Sequence, residues 1–454
     1  MEALDGDRLD TARRIFRAYD IRGISPDDID EFVAFRVGLA FGTAIGKGRR
    51  VIVGRDVRVS SPRLARELIK GILKTGVDVV DIGVVPTPVL YYTVFNWKAD
   101  GGIAVSASHN PPEWNGFKIV GRGGAVFAKG MGLDSIQKLY ESGKFAVASE
   151  GKREDASEKA IEDYKEGISE RVSISGKLMV GIDPGNGAYA ELASGMLKAL
   201  GAEVVSINDV RDGRFPSRSP EPKASNIEEL RKLVLRDHLD VGVAFDGDGD
   251  RALFVDDKGE VLEGDIIIAL LAMMTLKKGE KVVYEVSCSK SIEDVVKERG
   301  GIPVLSRVGH SYIFQKMASE GARMGGEISG HLYFSEMGNF DDGFYAAAKL
   351  MGALSSSGKS LSALLSGIPR YGRDVIEIES SDRAKFEVVE RVKEKYNGSA
   401  AKVIDIDGVK VISSGGWFLV RASNTSPKIK IVVEAESKDR LEALRKEALD
   451  AVHG

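Results

Sequence analysis

The sequence predicts an α/β protein of several domains, three related strand–helix units followed by a smaller α+β domain. Three observations lead there. A chain of 454 residues is too long for a single hydrophobic core. Strand-like and helix-like patterns alternate up to about residue 370, as layered α/β structure requires. Beyond that point, short alternating strands and amphipathic helices take over, an α+β pattern.

Residues 50–53 (RVIV) read as a buried strand and 63–74 as the helix after it. Residues 77–82 form a second strand, and 102–105 (GIAV) a third that runs directly into a polar loop at 106–110. The layout recurs. A strand at 177–183 precedes a helix near 190–200, and a strand at 240–245 enters the loop 246–251. A third series has a helix at 265–276, a strand at 281–286 and a loop at 326–331, beside a strand at 332–334. This is repetition of layout rather than of residues. Each segment delivers a polar loop from a strand end, which is where open α/β sheets bind ligands. In the last stretch, 374–379 alternates like a half-buried strand, 383–395 is an amphipathic helix, and 438–452 reads as a closing helix. Polar, glycine- or proline-bearing stretches at 149–157, 256–259 and 366–370 suit linkers. The expected domains are therefore 1–152, 153–254, 255–368 and 369–454.

Hydrophobic residues make up 43% and charged residues 29%, the composition of a soluble globular chain. A formal net charge of −4 argues against a general nucleic-acid or membrane-surface binder, which needs a basic excess. Cys288 is the only cysteine, so no disulfide can form within the chain, and a reducing, cytoplasmic setting is expected. Residues 1–10 are acidic and lack the apolar stretch of a signal peptide. The longest apolar run, 266–276, is too short to span a bilayer and reads as a core helix.

The first loop reads Ser106-Ala107-Ser108-His109-Asn110-Pro111-Pro112. Pro111 pushes Asn110 toward extended geometry and the tandem prolines stiffen the turn. Such a loop suits a hydroxyl held out as a nucleophile, or equally a rigid surface turn with incidental serines. Residue types do not separate Ser106 from Ser108; position favours Ser108, because Ser106 still lies at the strand end. Asn115-Gly116 is a turn signal that would send 117–119 back as a strand.

The second loop, Asp246-Gly247-Asp248-Gly249-Asp250-Arg251, confines three carboxylates within five residues. Two like charges ~4 Å apart repel by about 4 kcal/mol at an effective dielectric of 20. Gathering all three therefore calls for a cation, and oxygen-only ligands suit Mg²⁺ or Ca²⁺ rather than zinc. A calcium EF-hand does not fit: its sixth position should be Gly and is Arg251, and its twelfth should be Glu and is Asp257. The other rival is a solvated acidic turn. Arg251 can pair with the acidic cluster or with a phosphate.

The third loop, Gly326-Glu327-Ile328-Ser329-Gly330-His331, offers an acceptor, a hydroxyl and an imidazole to sugar hydroxyls; alone, a plain turn explains it better. Arg307-Val308-Gly309-His310-Ser311 reads as a helix start with Ser311 near the cap. In the last domain, residues 421–428 (RASNTSPK) combine a guanidinium, hydroxyls and exposed N–H groups that suit a phosphate dianion, or a polar hairpin turn. Of the five histidines, His109, His310 and His331 fall in these loops.

Taken together, these loops closely resemble the α-D-phosphohexomutases, in their phosphomannomutase/phosphoglucomutase branch. The resemblance runs from residues 16–23 (FRAYDIRG) to 421–427. It implies four domains around a central cleft. It implies that Ser108 carries a phosphoryl group, and that Asp246, Asp248 and Asp250 hold Mg²⁺ together with a phosphoserine oxygen. Glu327, Ser329 and His331 would contact sugar hydroxyls, and Arg421, Ser423, Asn424 and Thr425 would grip the phosphate not being transferred. Tyr19, Arg22, Lys118, Arg251 and His310 would line the cleft, with Lys118, His310 and His331 as candidates for proton transfer. The implied partners are hexose phosphates, with a hexose 1,6-bisphosphate as intermediate and activator.

The chain departs from the family at 286–289 (VSCS), where a lysine often stands. Asn424 and Gly249 differ from the glycine and alanine usual in the phosphoglucosamine mutase branch, which lowers the amino-sugar reading. A phosphatase, in which water takes the phosphoryl group, and a non-catalytic sugar-phosphate sensor are the readings from other classes.

Overall fold

The central strands of the α/β sheets are buried at nearly every position, so helices cover both of their faces. A computed structural model of the protein describes residues 4–381, 383–399, 401–423 and 426–453. The chain divides into two compact units, one formed by residues up to Gly264 with Ser329–Leu365, the other by Asp265–Ile328 with the residues from Ser366 onward.

The first unit holds two sheets. In the larger, Gly101–Val105, Arg50–Arg55, Asp78–Val84 and Arg153–Asp155 run parallel in that order. Trp114–Gly121 pairs antiparallel with Gly101–Val105, and Ile21–Ile24 pairs antiparallel beyond it. Val51, Val53, Ile103 and Val105 point into a core shared with the helices Glu31–Ile45, Ser61–Leu73 and Leu133–Ser142. Strand period places the intervening positions on the other face, where the helix Thr87–Asn96 packs its Leu90 and Val94 close to Gly102. In the second sheet, Glu203–Ser206, Met179–Asp183 and Val241–Phe245 are parallel, and Ala252–Asp256 returns antiparallel.

Both polar loops of this unit thus sit at the same place in the same motif. Val105 pairs with Phe117 across the mouth of one hairpin, and Phe245 with Ala252 across the mouth of the other. The repeated layout read from the sequence is real in these two segments.

In the second unit, Lys281–Glu285 is flanked by parallel Ile302–Ser306 and Met324–Gly326. A five-stranded antiparallel sheet follows, in the order Gly372–Glu379, Lys428–Ala435, Gly416–Ala422, Val409–Ser413, Lys402–Ile404. The helices Ala384–Tyr396 and Lys438–His453 cover one face through Val389, Val392, Leu444 and Ala448. Trp417, Leu419 and Val432 on the other face pack with Val286.

The structure corrects three local expectations. Asn115-Gly116 is not a turn but part of the strand Trp114–Gly121; the turn lies before it, closed by Trp114 N donating to Pro111 O. Gly116 is required because a Cβ there would lie 2.2 Å from Ile21 O on the paired strand. The helix expected near 190–200 is shorter, Ala193–Ala199. The helix start expected at 307–311 is present: His310–Glu320 is capped at Gly309, with Ser311 buried in its first turn. The expected linker at 149–157 contains the edge strand Arg153–Asp155, which completes the larger sheet. No helix among the described residues is long and apolar enough to cross a membrane.

Candidate active site

The two hairpin loops of the first unit meet. Ser108 Oγ donates to Asp246 Oδ2 at 2.8 Å and lies 3.2 Å from His109 Nδ1. Ser108 is 1% exposed and adopts φ +50°, a left-handed conformation that costs a residue with a Cβ about 1–2 kcal/mol. The loop is tied down on several sides. Ser108 N donates to Ser106 Oγ at 2.9 Å, while the Ser108 hydroxyl faces the acidic loop. The buried Arg58 guanidinium donates to the carbonyls of Ser108, Asn110, Pro111 and Trp114, with its charge offset by Asp56. Arg22, held by Asp20, donates to Asn110 Oδ1 at 2.6 Å.

Asp246, Asp248 and Asp250 are all buried, and oxygens from the three lie within 4.8 Å of one another. Asp246 Oδ1 accepts from the Gly249 and Arg251 N–H groups, so the loop closes on itself. Gly249 has φ +81°, a turn conformation that glycine adopts without steric cost. The helix-start residue Thr87 gives its hydroxyl to Asp248 Oδ2 and its N–H to Asp248 O. Arg218, paired with Asp183, donates to the carbonyl of Phe245 just before the loop.

Lys118 is 5% exposed, and its ammonium donates to Asp248 Oδ2 at 2.6 Å and to Asp250 Oδ2. Burial pushes its pKa down, but Asp248 and Asp250 outweigh this and hold it well above the ordinary value. The carboxylates diverge. Burial, with repulsion from Asp250 and Asp248, pushes Asp246 well up. Burial also acts upward on Asp250, but Lys118, His331 and Arg251 outweigh it and hold this carboxyl well down. Asp248 Oδ1 and Asp250 Oδ1 are buried and accept no hydrogen bond from the described residues. Two unengaged oxygens in a buried anionic cluster fit a hard divalent cation; the lysine ammonium supplies positive charge at the other oxygen of each carboxylate.

Arg251 and His331 adjoin this cluster. Arg251 Nε donates to His331 Nε2 at 2.7 Å, and His331 Nδ1 lies 2.6 Å from Asp341 Oδ2. While Arg251 occupies Nε2, the imidazole proton belongs on Nδ1, facing Asp341. Burial and Arg251 lower the His331 pKa, but Asp250 and Asp341 outweigh them, so it is raised overall. His109 is the opposite case: burial, with Arg251 and Arg22, pushes its pKa well down and keeps it neutral. Tyr19 is half-buried in the turn before Ile21–Ile24, and Ser329 is exposed.

A separate group forms within the second unit. Glu327 is buried and its Oε1 accepts from Gly309 N at 2.7 Å, at the start of the helix that opens with His310. Val308 N donates to Asp407 Oδ2, which lies 3.6 Å from an Arg421 nitrogen. Arg421 is 8% exposed, and its Nε is buried with no hydrogen-bond partner among the described residues. Ser423 Oγ accepts from Ser426 N, and Lys385 Nζ donates to the carbonyls of Ser423 and Ser426. Asn424 and Thr425 lie outside the described residues. At the 286–289 turn, Lys410 Nζ donates to Val286 O at 2.8 Å.

Comparison with known proteins places this geometry. Four successive segments match the four parts of one family: "Phosphoglucomutase/phosphomannomutase, alpha/beta/alpha domain I" at 13–147, domain II at 162–259, domain III at 263–371 and the C-terminal domain at 376–451. The chain belongs to the phosphoglucomutase/phosphomannomutase family. A Pseudomonas syringae protein named phosphomannomutase/phosphoglucomutase is 37% identical over 95% of this chain and 93% of its own length. A Methanopyrus kandleri protein named "Probable phosphoglucosamine mutase" is 36% identical over 97% of this chain and 98% of its own. A crystal structure of a Burkholderia thailandensis phosphoglucomutase/phosphomannomutase family protein superposes with a TM-score of 0.90, at 34% identity over 97% of both chains.

Sequence reasoning gave His109 no role and missed Thr87, Arg58 and Asp341. Asp341-Asp342 before an apolar helix carries a capping signal that could have drawn attention to it, since Asp342 does cap Gly343–Ser357. Asp56 and Arg58, two charges just past a buried strand, are a weaker hint. Thr87 carries only the helix-start signal of Pro88 before an apolar run, which does not point to Asp248.

Proposed function

We propose that this chain is a phosphohexomutase that interconverts hexose 1-phosphates and hexose 6-phosphates, with mannose, glucose or both as its sugars, through a phosphoserine at Ser108. The observation that carries this reading is the 2.8 Å contact between Ser108 Oγ and Asp246, which puts a hydroxyl on the rim of a buried acidic triad.

Phosphoryl transfer depends on positioning and on neutralising charge rather than on bond-making by the protein. Mg²⁺ held by Asp246, Asp248, Asp250 and an oxygen on Ser108 would neutralise negative charge on the phosphoryl group. Arg22 and Arg251 lie beside the two loops and add fixed positive charge. In the forward step, the bond between phosphorus and Ser108 Oγ breaks as one forms to a substrate hydroxyl oxygen, whose proton must leave. His331 and His310 are the candidates to take it; Lys118, kept as an ammonium by Asp248 and Asp250, holds charge there and has no lone pair to accept a proton. The resulting hexose 1,6-bisphosphate then turns end for end and returns its other phosphoryl group to Ser108. Arg421, Ser423, Asn424 and Thr425 grip the phosphate that stays, and Tyr19, Glu327, Ser329 and His331 hold the sugar. With no disulfide available to its single cysteine, the protein suits the cytoplasm.

The test supplies purified protein, Mg²⁺ and a trace of hexose bisphosphate with glucose, mannose and glucosamine phosphates in parallel. Isomer formation from glucose or mannose phosphate, lost in Ser108→Ala, is the expected result. Free phosphate without isomer would make the protein a phosphatase, and preference for glucosamine phosphate would assign it to the amino sugar.

A further inference from the structure

Ser108 holds a backbone conformation that its side chain disfavours, and the group that enforces it is a buried arginine with no direct part in the chemistry. Arg58 is fully buried, and all five of its N–H donors are engaged. Nε donates to Asp56 Oδ2 at 3.0 Å. One terminal nitrogen donates to the carbonyls of Pro111 and Trp114, the other to those of Ser108 and Asn110 at 2.8 and 2.6 Å. The Phe215 ring covers the guanidinium, with its centre 5.2 Å away. Asp56 is fixed in turn, accepting from the Arg58 N–H and from Ser61 Oγ.

A flat fork of donors constrains both the position and the tilt of each peptide plane it touches. Four carbonyls of one loop aimed at one guanidinium leave that loop a single conformation, the one with Ser108 at φ +50° and Oγ on Asp246. Ser106 Oγ, accepting from Ser108 N at 2.9 Å, fixes the other side of the same residue. We infer that Arg58, assisted by Ser106, is a positioning residue for phosphoryl transfer, acting through the loop carbonyls to hold the nucleophile against the acidic triad.

The inference rests on the phosphoserine reading above, and the experiment separates the two. Arg58→Lys keeps the charge opposite Asp56 but replaces the fork with a single ammonium of three donors. Misplacing a reacting atom by about 1 Å costs on the order of 10²-fold in rate. The folded R58K protein, checked by circular dichroism and melting, is expected to show kcat lowered about 10²-fold, with KM for the hexose phosphate within about threefold. Single-turnover uptake of labelled phosphate from hexose bisphosphate should slow by the same factor. If R58K does not fold, Ser106→Ala carries the test, with an expected ~10-fold loss in kcat and no change in KM. Wild-type-like kcat in the folded variant, or a loss confined to KM, would overturn the assignment of Arg58. A wild-type protein that takes no label and forms no isomer would instead overturn the phosphoserine reading.

Discussion

Replacing Lys118 by Met tests whether lysine and a metal ion serve the same carboxylates. Lys118 donates to Asp248 and Asp250 from a position 5% exposed, and removing its ammonium leaves those carboxylates facing each other and Asp246. Breaking a buried ion pair by deleting one partner costs about 3–5 kcal/mol. Repulsion between carboxylates ~4 Å apart at a dielectric of 20, about 4 kcal/mol, agrees. At ~2.1 cal/mol/K per residue, a chain of 454 residues shifts by about 1 °C per kcal/mol, so K118M should melt about 3–5 °C lower in the presence of a chelator. Mg²⁺ should then recover much of the loss, since ligand at a hundred times its Kd contributes about 2.7 kcal/mol. The variant should gain more from Mg²⁺ than the wild type does, because no ammonium remains to compete. The assay is a set of thermal melts of both proteins in chelator and across a Mg²⁺ series. Unchanged melting of K118M in chelator, or a smaller gain from Mg²⁺ than in the wild type, would refute the reasoning.

Three other predictions follow from buried groups around the site. Burial raises the Asp342 carboxyl to about 7, where it accepts from Tyr164 OH and Tyr345 N. Between its unfolded pKa of about 4 and 7, the folded state holds a proton that the unfolded chain has lost, so stability falls as pH rises, by up to about 4 kcal/mol. Asp342→Asn keeps the helix cap and should flatten that slope in denaturant titrations from pH 5 to pH 8; an unchanged slope contradicts it. Gly249→Ala must hold φ +81° and places a Cβ 2.3 Å from the Tyr189 ring, so it should lose about 2–4 kcal/mol and bind Mg²⁺ more weakly. A wild-type melt and Mg²⁺ titration would count against this. Gly116→Ala sets a Cβ 2.2 Å from Ile21 O and should part the strands that carry Arg22 and Lys118, visible as lower soluble yield and a lower melting temperature.

What was legible in the sequence was local. The acidic loop announces itself because three like charges within five residues need a partner wherever the chain folds. The strands Arg50–Arg55, Asp78–Val84, Gly101–Val105, Met179–Asp183 and Val241–Phe245 and the helix Ser61–Leu73 followed from hydrophobic period, and the choice of Ser108 from its place after a buried strand, while Ile21–Ile24, Glu31–Ile45, Thr87–Asn96 and Glu203–Ser206 went unread. What was not legible depends on distant backbone. Arg58 acts on carbonyls about fifty positions away, and a carbonyl has no residue type to read. Asn115-Gly116 has the composition of a hairpin turn, yet its glycine answers to the carbonyl of Ile21 on another strand. The helix start at 307–311 was legible, but Glu327 taking the Gly309 N–H from eighteen positions away was not. The role of Lys118 as the counter-charge of the triad, rather than only a cleft cation, appears once the Trp114–Gly121 strand is seen to run beside Gly101–Val105.

The central claim concerns one oxygen atom. Protein incubated with ³²P-labelled hexose bisphosphate, digested and mapped, should carry its label on Ser108 and pass that label to added hexose monophosphate as isomer forms. Label found on another residue, or isomer formed at the wild-type rate by Ser108→Ala, would contradict the account.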